Sequence, residues 1–480
     1  MKKVLSIVLA AAMLLAMTAC AAPAAEAPAE AAPAAEAPAA AEAPAATEAP
    51  AAEAPAEETV DSVYYLNFKP EIAEVYAKIG EAYKAETGIE LKVVTAAAGT
   101  YEETLKSEVA KSDAPVLFQI NGPIGYLKWQ DYCADLKGTA LYDMLSDKSL
   151  AVTSGEGVYG IPYAVEGYGI IYNNAIMNKY FALANPVVAS MDDIKSFDTL
   201  KAVAEDMTAK AADLGIKGVF ASTSLKAGED WRWQTHLMNV PLYYELKDVA
   251  GDGDPIVAGV NANEITFKYA DNFKNIFDLY LNNSVSKPKL LGAIDVNQSM
   301  AEFALGQCAM VQNGNWGASQ ILGVDGCTVA NEDIKFLPIY TGVAGEETQG
   351  LCVGTENYFA INSKATEAQQ KAAADFVVWL FSSETGKKFV KDELGFIAPF
   401  STITDADMPA DPLAQAVISW MSKEGVTSVP WTFAAMPSQA WKDHFGANLL
   451  LYAQGQKDWP AIVTETVADW TAERALVPVA

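Results

Sequence analysis

Residues 21–58 confine folding to the chain beyond them. The tract holds only Ala, Pro, Glu and one Thr, in a loose Ala-Ala-Glu-Ala-Pro repeat. Its seven prolines interrupt any helix the alanines would favour. It has nothing with which to build a core. Stretched in polyproline form, these 38 residues reach at most ~120 Å, at ~3.1 Å each. A hydrophobic interior must come from the roughly 420 residues after Val60, too many for one ordinary core and enough for two lobes.

The segment before the tract explains it. Met1-Lys2-Lys3 is a short positive start, and an apolar run extends from Val4 to Met17. Small residues and Cys20 close the segment, the layout of an export signal. Met17-Thr18-Ala19-Cys20 resembles the cleavage site of a bacterial lipoprotein signal, with Met17 where Leu is usual. That resemblance implies residues 1–19 as signal peptide, a lipid on Cys20 as the mature N-terminus, and residues 20–60 as a disordered tether. The alternative is an uncleaved membrane helix, but the run is short of the ~20 apolar residues that a span needs. The expected location is the outer face of the cytoplasmic membrane, in an envelope of the Gram-positive type.

Charge narrows the partners. The chain carries a formal −28, and the part after residue 58 has 31 basic against 53 acidic side chains. So acidic a body argues against nucleic acid or an anionic membrane face as partner. Besides Cys20 there are Cys133, Cys308, Cys327 and Cys352, none in a Cys-x-x-Cys pair. Export permits disulfides, and spacing does not choose among the three possible connectivities. We expect free, mostly buried thiols.

The body opens as alternating strand and helix. Val63–Leu66 reads as a strand. Ile72, Val75, Tyr76, Ile79 and Tyr83 recur at helical spacing, and Gly88 stands where a cap glycine belongs. Ile89, Leu91 and Val93 alternate as a strand, Tyr101, Leu105 and Val109 mark a helix, and Val116–Ile120 is a buried strand ending at Asn121-Gly122-Pro123. This order builds a parallel sheet with helices on its faces, and ligands sit beyond the carboxyl ends of such strands. A second run includes apolar Tyr168–Tyr172, a helix with Leu200, Val203, Met207 and Leu214, and strands at Val219–Ala221 and Cys308–Val311. Later, Asp375 to Phe381 opens a helix that stops near Gly386. No internal repeat occurs after the tether.

Four segments together resemble the carbohydrate-type extracellular solute-binding proteins of bacterial ABC importers, the group that includes maltose-binding protein. They are Tyr83–Val93, Ser112–Pro115 before its strand, Val158–Gly167 followed by Ile171-Tyr172-Asn173, and Phe303–Met310 with Asn313-Gly314 and Trp316 beyond. The resemblance runs from about Tyr64 to Trp470. It implies an α/β, two-lobe periplasmic-binding-protein-like fold (type II), each lobe a sheet flanked by helices and joined by hinge segments. By analogy, lobe 1 comprises residues 61–165 and 340–402, and lobe 2 residues 166–339 and 403–480. The chain would cross near Tyr163–Tyr168, return near Lys335–Tyr340 and cross again near Pro399–Asp405. The implied partners are a carbohydrate ligand, permease subunits of an ABC importer, and the membrane through Cys20. We expect a monomer that is not an enzyme, with no cofactor and no metal.

A sugar offers C–H faces to aromatic rings and hydroxyls to polar groups, and a buried polar group left unpaired costs ~1–3 kcal/mol. Trp316, just past a strand, takes the family's stacking position, with Asn313 beside it. Glu166, in Pro162–Glu166 of the first crossing, would accept sugar hydroxyls or else pair with a lysine. Trp231 and Trp233, two apart in an extended loop, would point the same way. Asn121 stands where maltose-binding relatives have a charged pair, a departure that leaves the ligand open. Phe68 and Lys69 share the other strand-end loop of the first lobe, and Trp431 falls where relatives supply a late ring. His236 and His444 read as structural, Asp252 and Asp254 as a surface turn, and Glu102-Glu103 and Glu346-Glu347 as solvated charges. No Ser/His/Asp set, His-Glu-x-x-His or phosphate loop appears. Two further readings stay open: the same fold holding a polyol phosphate or a polyamine, and a secreted glycoside hydrolase with two carboxylates. Scarce arginine, only Arg232 and Arg474, weakens the phosphate case.

Overall fold

The computed structural model describes residues 59–97 and 99–478. The signal, Cys20 and nearly all of the tether lie outside the described residues. Twelve strands succeed one another in chain order: β1 Ser62–Asn67, β2 Glu90–Thr95, β3 Leu117–Asn121, β4 Val152–Ser154, β5 Gly157–Pro162, β6 Glu166–Asn173, β7 Gly218–Phe220, β8 Cys308–Gly314, β9 Ile334–Leu337, β10 Gln349–Gly354, β11 Asn357–Ile361 and β12 Thr427–Pro430. They form two sheets. One has the order β2-β1-β3-β11-β5-β4, the other β12-β10-β6-β8-β7, with β9 also paired to β6. Each is flanked by helices, as the α/β reading expects.

Period-two alternation assembles the cores. Leu117, Phe359 and Ile361 enter one cluster with the helix residues Phe376, Val377 and Leu380. Phe118, Ile120, Tyr358 and Ala360, their neighbours along the same strands, enter another on the opposite face. Helix Ala73–Thr87 buries Tyr76, Ile79 and Tyr83 and ends at Gly88 with φ 79°, whose N–H donates to the Lys84 carbonyl. That left-handed position favours glycine. Helix Glu367–Ser382 starts earlier than its apolar pattern, because Thr366 and Gln369 close a capping box. It stops before Gly386, which lies inside the next helix, Glu384–Phe389. The four described cysteines are free, and Cys133, Cys308 and Cys352 are buried. No helix among the described residues is long and apolar enough to cross a membrane.

The chain passes from the first sheet to the second between β5 and β6. Its return differs from the Lys335–Tyr340 expectation. Residues 340–354 belong with the second sheet: Glu346 accepts the N–H groups of Phe197, Thr341 and Gly342 at 2.6–2.8 Å, and β10 pairs with β6 and β12. The return is at Thr355-Glu356, between β10 and β11. Glu346 is thus a buried organiser of a turn and not a solvated charge. The third passage comes after Ile403, which packs on the first lobe, and before Met408, which packs on the second.

Candidate functional site

The strand ends that carry the candidate residues converge on one cavity of about 430 Å³. Phe68 and Lys69 come directly after β1, Asn121 ends β3, and Trp316 lies just beyond β8. Trp231 faces them from a turn at the start of the π-helical segment Arg232–Leu237, and π-turns of this kind recur at functional sites. The two lobes touch around the cavity. A Cβ on Gly99 would lie 3.0 Å from the Gly228 Cα, and one on Gly122 would lie 3.0 Å from the Ala434 Cβ.

Local hydrogen bonds hold the loops. Asn67, fully buried, donates from Nδ2 to the Lys69 carbonyl at 2.8 Å, and Gln119 Oε1 accepts the Phe68 N–H at 2.6 Å. The Phe68 ring rests against Tyr101 at 5.0 Å. Asn315 binds Gly167 in both directions, at 2.9 and 3.0 Å, and so ties the loop carrying Trp316 to the start of β6. The Trp316 ring packs closely against Gly314, where a Cβ would meet ring carbons at 2.1–2.5 Å.

Aromatic rings form one wall. Trp316 lies 5.9 Å from Trp231 and 5.6 Å from His236, and His236 lies 4.8 Å from Phe433. Lys69 Nζ sits 5.0 Å from the Trp316 ring and 2.8 Å from Glu166 Oε1. Burial works against the Lys69 ammonium, but the Glu166, Glu71 and Glu356 carboxylates and the Tyr163 hydroxyl outweigh it and hold its pKa well above the usual lysine range. The Arg232 guanidinium stacks on Trp231, with Cζ 4.0 Å from the ring centre, and burial lowers its pKa to about 10. Burial likewise lowers Lys442, and it holds His236 well below its ordinary value, helped by the charges of Arg232, Lys69 and Lys442. Both His236 nitrogens are buried without a hydrogen-bond partner among the described residues.

Phe68, Lys69, Asn121, Trp231 and Trp316 line the cavity. Glu166 does not; it is buried behind Lys69 as its ion-pair partner. Trp233 is a core residue, packed on Phe277 and Tyr280 with Nε1–H donating to the Ser224 carbonyl at 2.8 Å. The loop is helical there and not extended, so residues two apart face different ways. Asn313, fully buried, accepts the Gly314 N–H and donates to Gln320, which stabilises the turn. Trp431 is buried against Gly354 and backs the wall, while Phe433 reaches the lining.

Other lining residues escape a reading of the sequence. His236 reads there as structural and Glu102 as a solvated charge, yet both line the cavity, as do Arg232, Glu356, Phe433 and Lys442. Phe433 has a signal, two residues past Trp431. Lys442 has none, since nothing in the sequence of helix Gln439–Ala453 marks this lysine as buried. No group of three or more His, Cys, Asp or Glu among the described residues is placed to hold a metal ion.

A family model described as bacterial extracellular solute-binding protein matches residues 78–416. No curated protein matches the chain. Solved structures of similar fold include a binding protein in complex with raffinose (TM-score 0.63, 17% identity, covering 86% of this chain and 99% of that one). A chitin oligosaccharide binding protein is similar (0.64, 18%, 87% and 99%). So is an ABC transporter solute-binding protein from Agrobacterium radiobacter K84 in complex with ribitol (0.62, 19%, 87% and 99%).

Proposed function

The chain belongs to the bacterial extracellular solute-binding proteins, and from that premise we propose that it captures a sugar, an oligosaccharide, between its lobes and delivers it to the permease of an ABC importer. The observation that carries this is the aromatic wall of Trp231, Trp316 and Phe433 facing polar side chains across one cavity. Rings cover the C–H faces of a pyranose while amides and charged donors take its rim. The volume of about 430 Å³ lies in the ~300–1,000 Å³ range of small-molecule sites. The saccharide and polyol named for similar structures support the same class.

In this reading Trp316 and Trp231 stack on the ligand, and Phe68, Lys69 and Asn121 meet it from the other lobe. Glu166, Asn313 and Trp431 hold those groups in place from behind, and Trp233 anchors its turn in the core. The lobes are built around the two sheets, with residues 61–162 and 357–402 forming most of one and residues 166–354 with 408–470 most of the other. Ligand shared between two lobes favours their closure, since each alone offers half of the contacts. A polyamine fits less well, because the glutamates that line the cavity with the cations already have partners within the protein. Titrating the protein with oligosaccharides, monosaccharides and polyamines, monitored by tryptophan fluorescence, tests the reading. A saccharide should bind and change the emission; binding of a polyamine and of no saccharide refutes it.

Anchoring completes the proposal: lipid on Cys20 and the Ala/Pro/Glu leash would keep the receptor near its permease. Cys20→Ala should release the protein or block its processing, and a variant that stays processed and membrane-bound refutes the anchor.

A further inference from the structure

One of the two arginines of this chain stands in the cavity wall. Arg232 is 3% exposed, and its Nη1 is buried with no hydrogen-bond partner among the described residues. Its flat face is covered by Trp231 at 4.0 Å, so that only the edge donors remain to be used. Lys442, 7% exposed, lines the same cavity from helix Gln439–Ala453, which packs on the turn carrying Arg232. It makes no ion pair among the described residues.

The carboxylates of the cavity are differently placed. Glu71 lies 3.7 Å from Lys69 Nζ, and Glu102 accepts the Trp129 indole N–H at 3.0 Å. Glu229 accepts the Val296 N–H at 2.7 Å and pairs with Lys226, and Glu356 accepts from Asn121 Nδ2 at 3.3 Å. Each acid has an ion-pair or hydrogen-bond partner within the protein, whereas Arg232 and Lys442 make no ion pair among the described residues. A neutral sugar would leave a buried guanidinium with no counter-charge in contact, only the more distant fields of Glu71 and Glu229, which is costly. A dianion would meet four nearby carboxylates. A single carboxylate matches both the charge and the planar fork of the guanidinium.

We propose that the saccharide taken by this site is acidic, and that the carboxylate of a uronic-acid residue docks on the edge of Arg232 with Lys442 as its second cation. The proposal rests on the reading of the cavity as a sugar site and specifies its ligand class.

The test compares oligosaccharides of galacturonate, glucuronate and mannuronate with their methyl esters, by calorimetry on the full chain. At least one acid should bind ten-fold or more tighter than its ester. Arg232→Gln should abolish that preference, and Arg232→Lys, which keeps the charge and loses the fork, should reduce it. Lys442→Met should lower it as well, and it serves if the arginine variants fail to fold. Esters bound as tightly as acids throughout, an acid preference that survives Arg232→Gln, or a preference for sulfated over carboxylated glycans overturns the proposal and leaves the sugar reading standing. Polyamine binding with no saccharide bound in any form overturns both.

Discussion

Gly314→Ala is a one-carbon test of the site. Gly314 ends β8 in ordinary strand geometry, so alanine costs nothing in the backbone itself. The new Cβ would instead fall 2.1 Å from one ring carbon of Trp316 and 2.2 and 2.5 Å from two more. Ordinary contact begins at 3.4 Å, so the ring must retreat by roughly 1.3 Å or turn over. It has little room behind it, with His236 at 5.6 Å, Trp231 at 5.9 Å and Trp431 at 6.4 Å. The ring therefore moves toward the cavity and occludes the face it offers. Overpacking costs ~1–3 kcal/mol, which a domain of ~5–15 kcal/mol stability survives. Loss of the stacked face should weaken ligand binding by ~1–3 kcal/mol, the range for truncating an aromatic anchor. Calorimetry on Gly314→Ala, Trp316→Ala and the double variant closes a cycle. If Gly314 acts through Trp316, the double variant binds no more weakly than Trp316→Ala. Unchanged affinity in Gly314→Ala, or losses that simply add, would refute the placement of Trp316 as the stacking ring.

Two further outcomes rest on the same geometry. Burial, aided by the charge of Asp443, raises the Asp230 carboxyl to about 6, against ~3.9 in the unfolded chain. The folded state then binds this proton more tightly, so its contribution to stability is present below ~pH 4 and is lost as pH rises to ~6; two units correspond to ~3 kcal/mol. Asp230→Asn should flatten that part of the pH–stability curve and raise the urea midpoint near neutral pH, and an unchanged slope would show that Asp230 is not its source. Ala434 meets Gly122 across the cleft, so Ala434→Leu should hold the lobes apart. Its ligand affinity should fall by ~10-fold, about 1.4 kcal/mol, and small-angle scattering should show a smaller ligand-induced contraction than in the unaltered protein; equal contraction rules out this contact as part of closure.

Much of the architecture is legible in the residues. Alternating apolar positions mark β2, and short continuous apolar runs mark β1, β3 and β8, whose strands are buried along nearly their whole length. Gly88 marks a helix end through a conformation it adopts cheaply. The strand-end rule places Phe68, Lys69 and Asn121 together on the first sheet, whereas Trp316 is marked by the family resemblance of its segment. The Ala/Pro/Glu composition of residues 21–58 excludes them from any core. Tertiary structure decides the rest. Trp231 and Trp233 differ by two positions, and only the helical turn they enter sends one to the cavity and the other to the core. The span 340–354 joins the second sheet through long-range pairing that no local pattern encodes. His236, Arg232 and Lys442 give no periodic signal, since a buried polar side chain looks the same in sequence whether it fills a core or walls a cleft. That distinction depends on which surfaces meet when two lobes come together, and it is a property of the assembled chain alone.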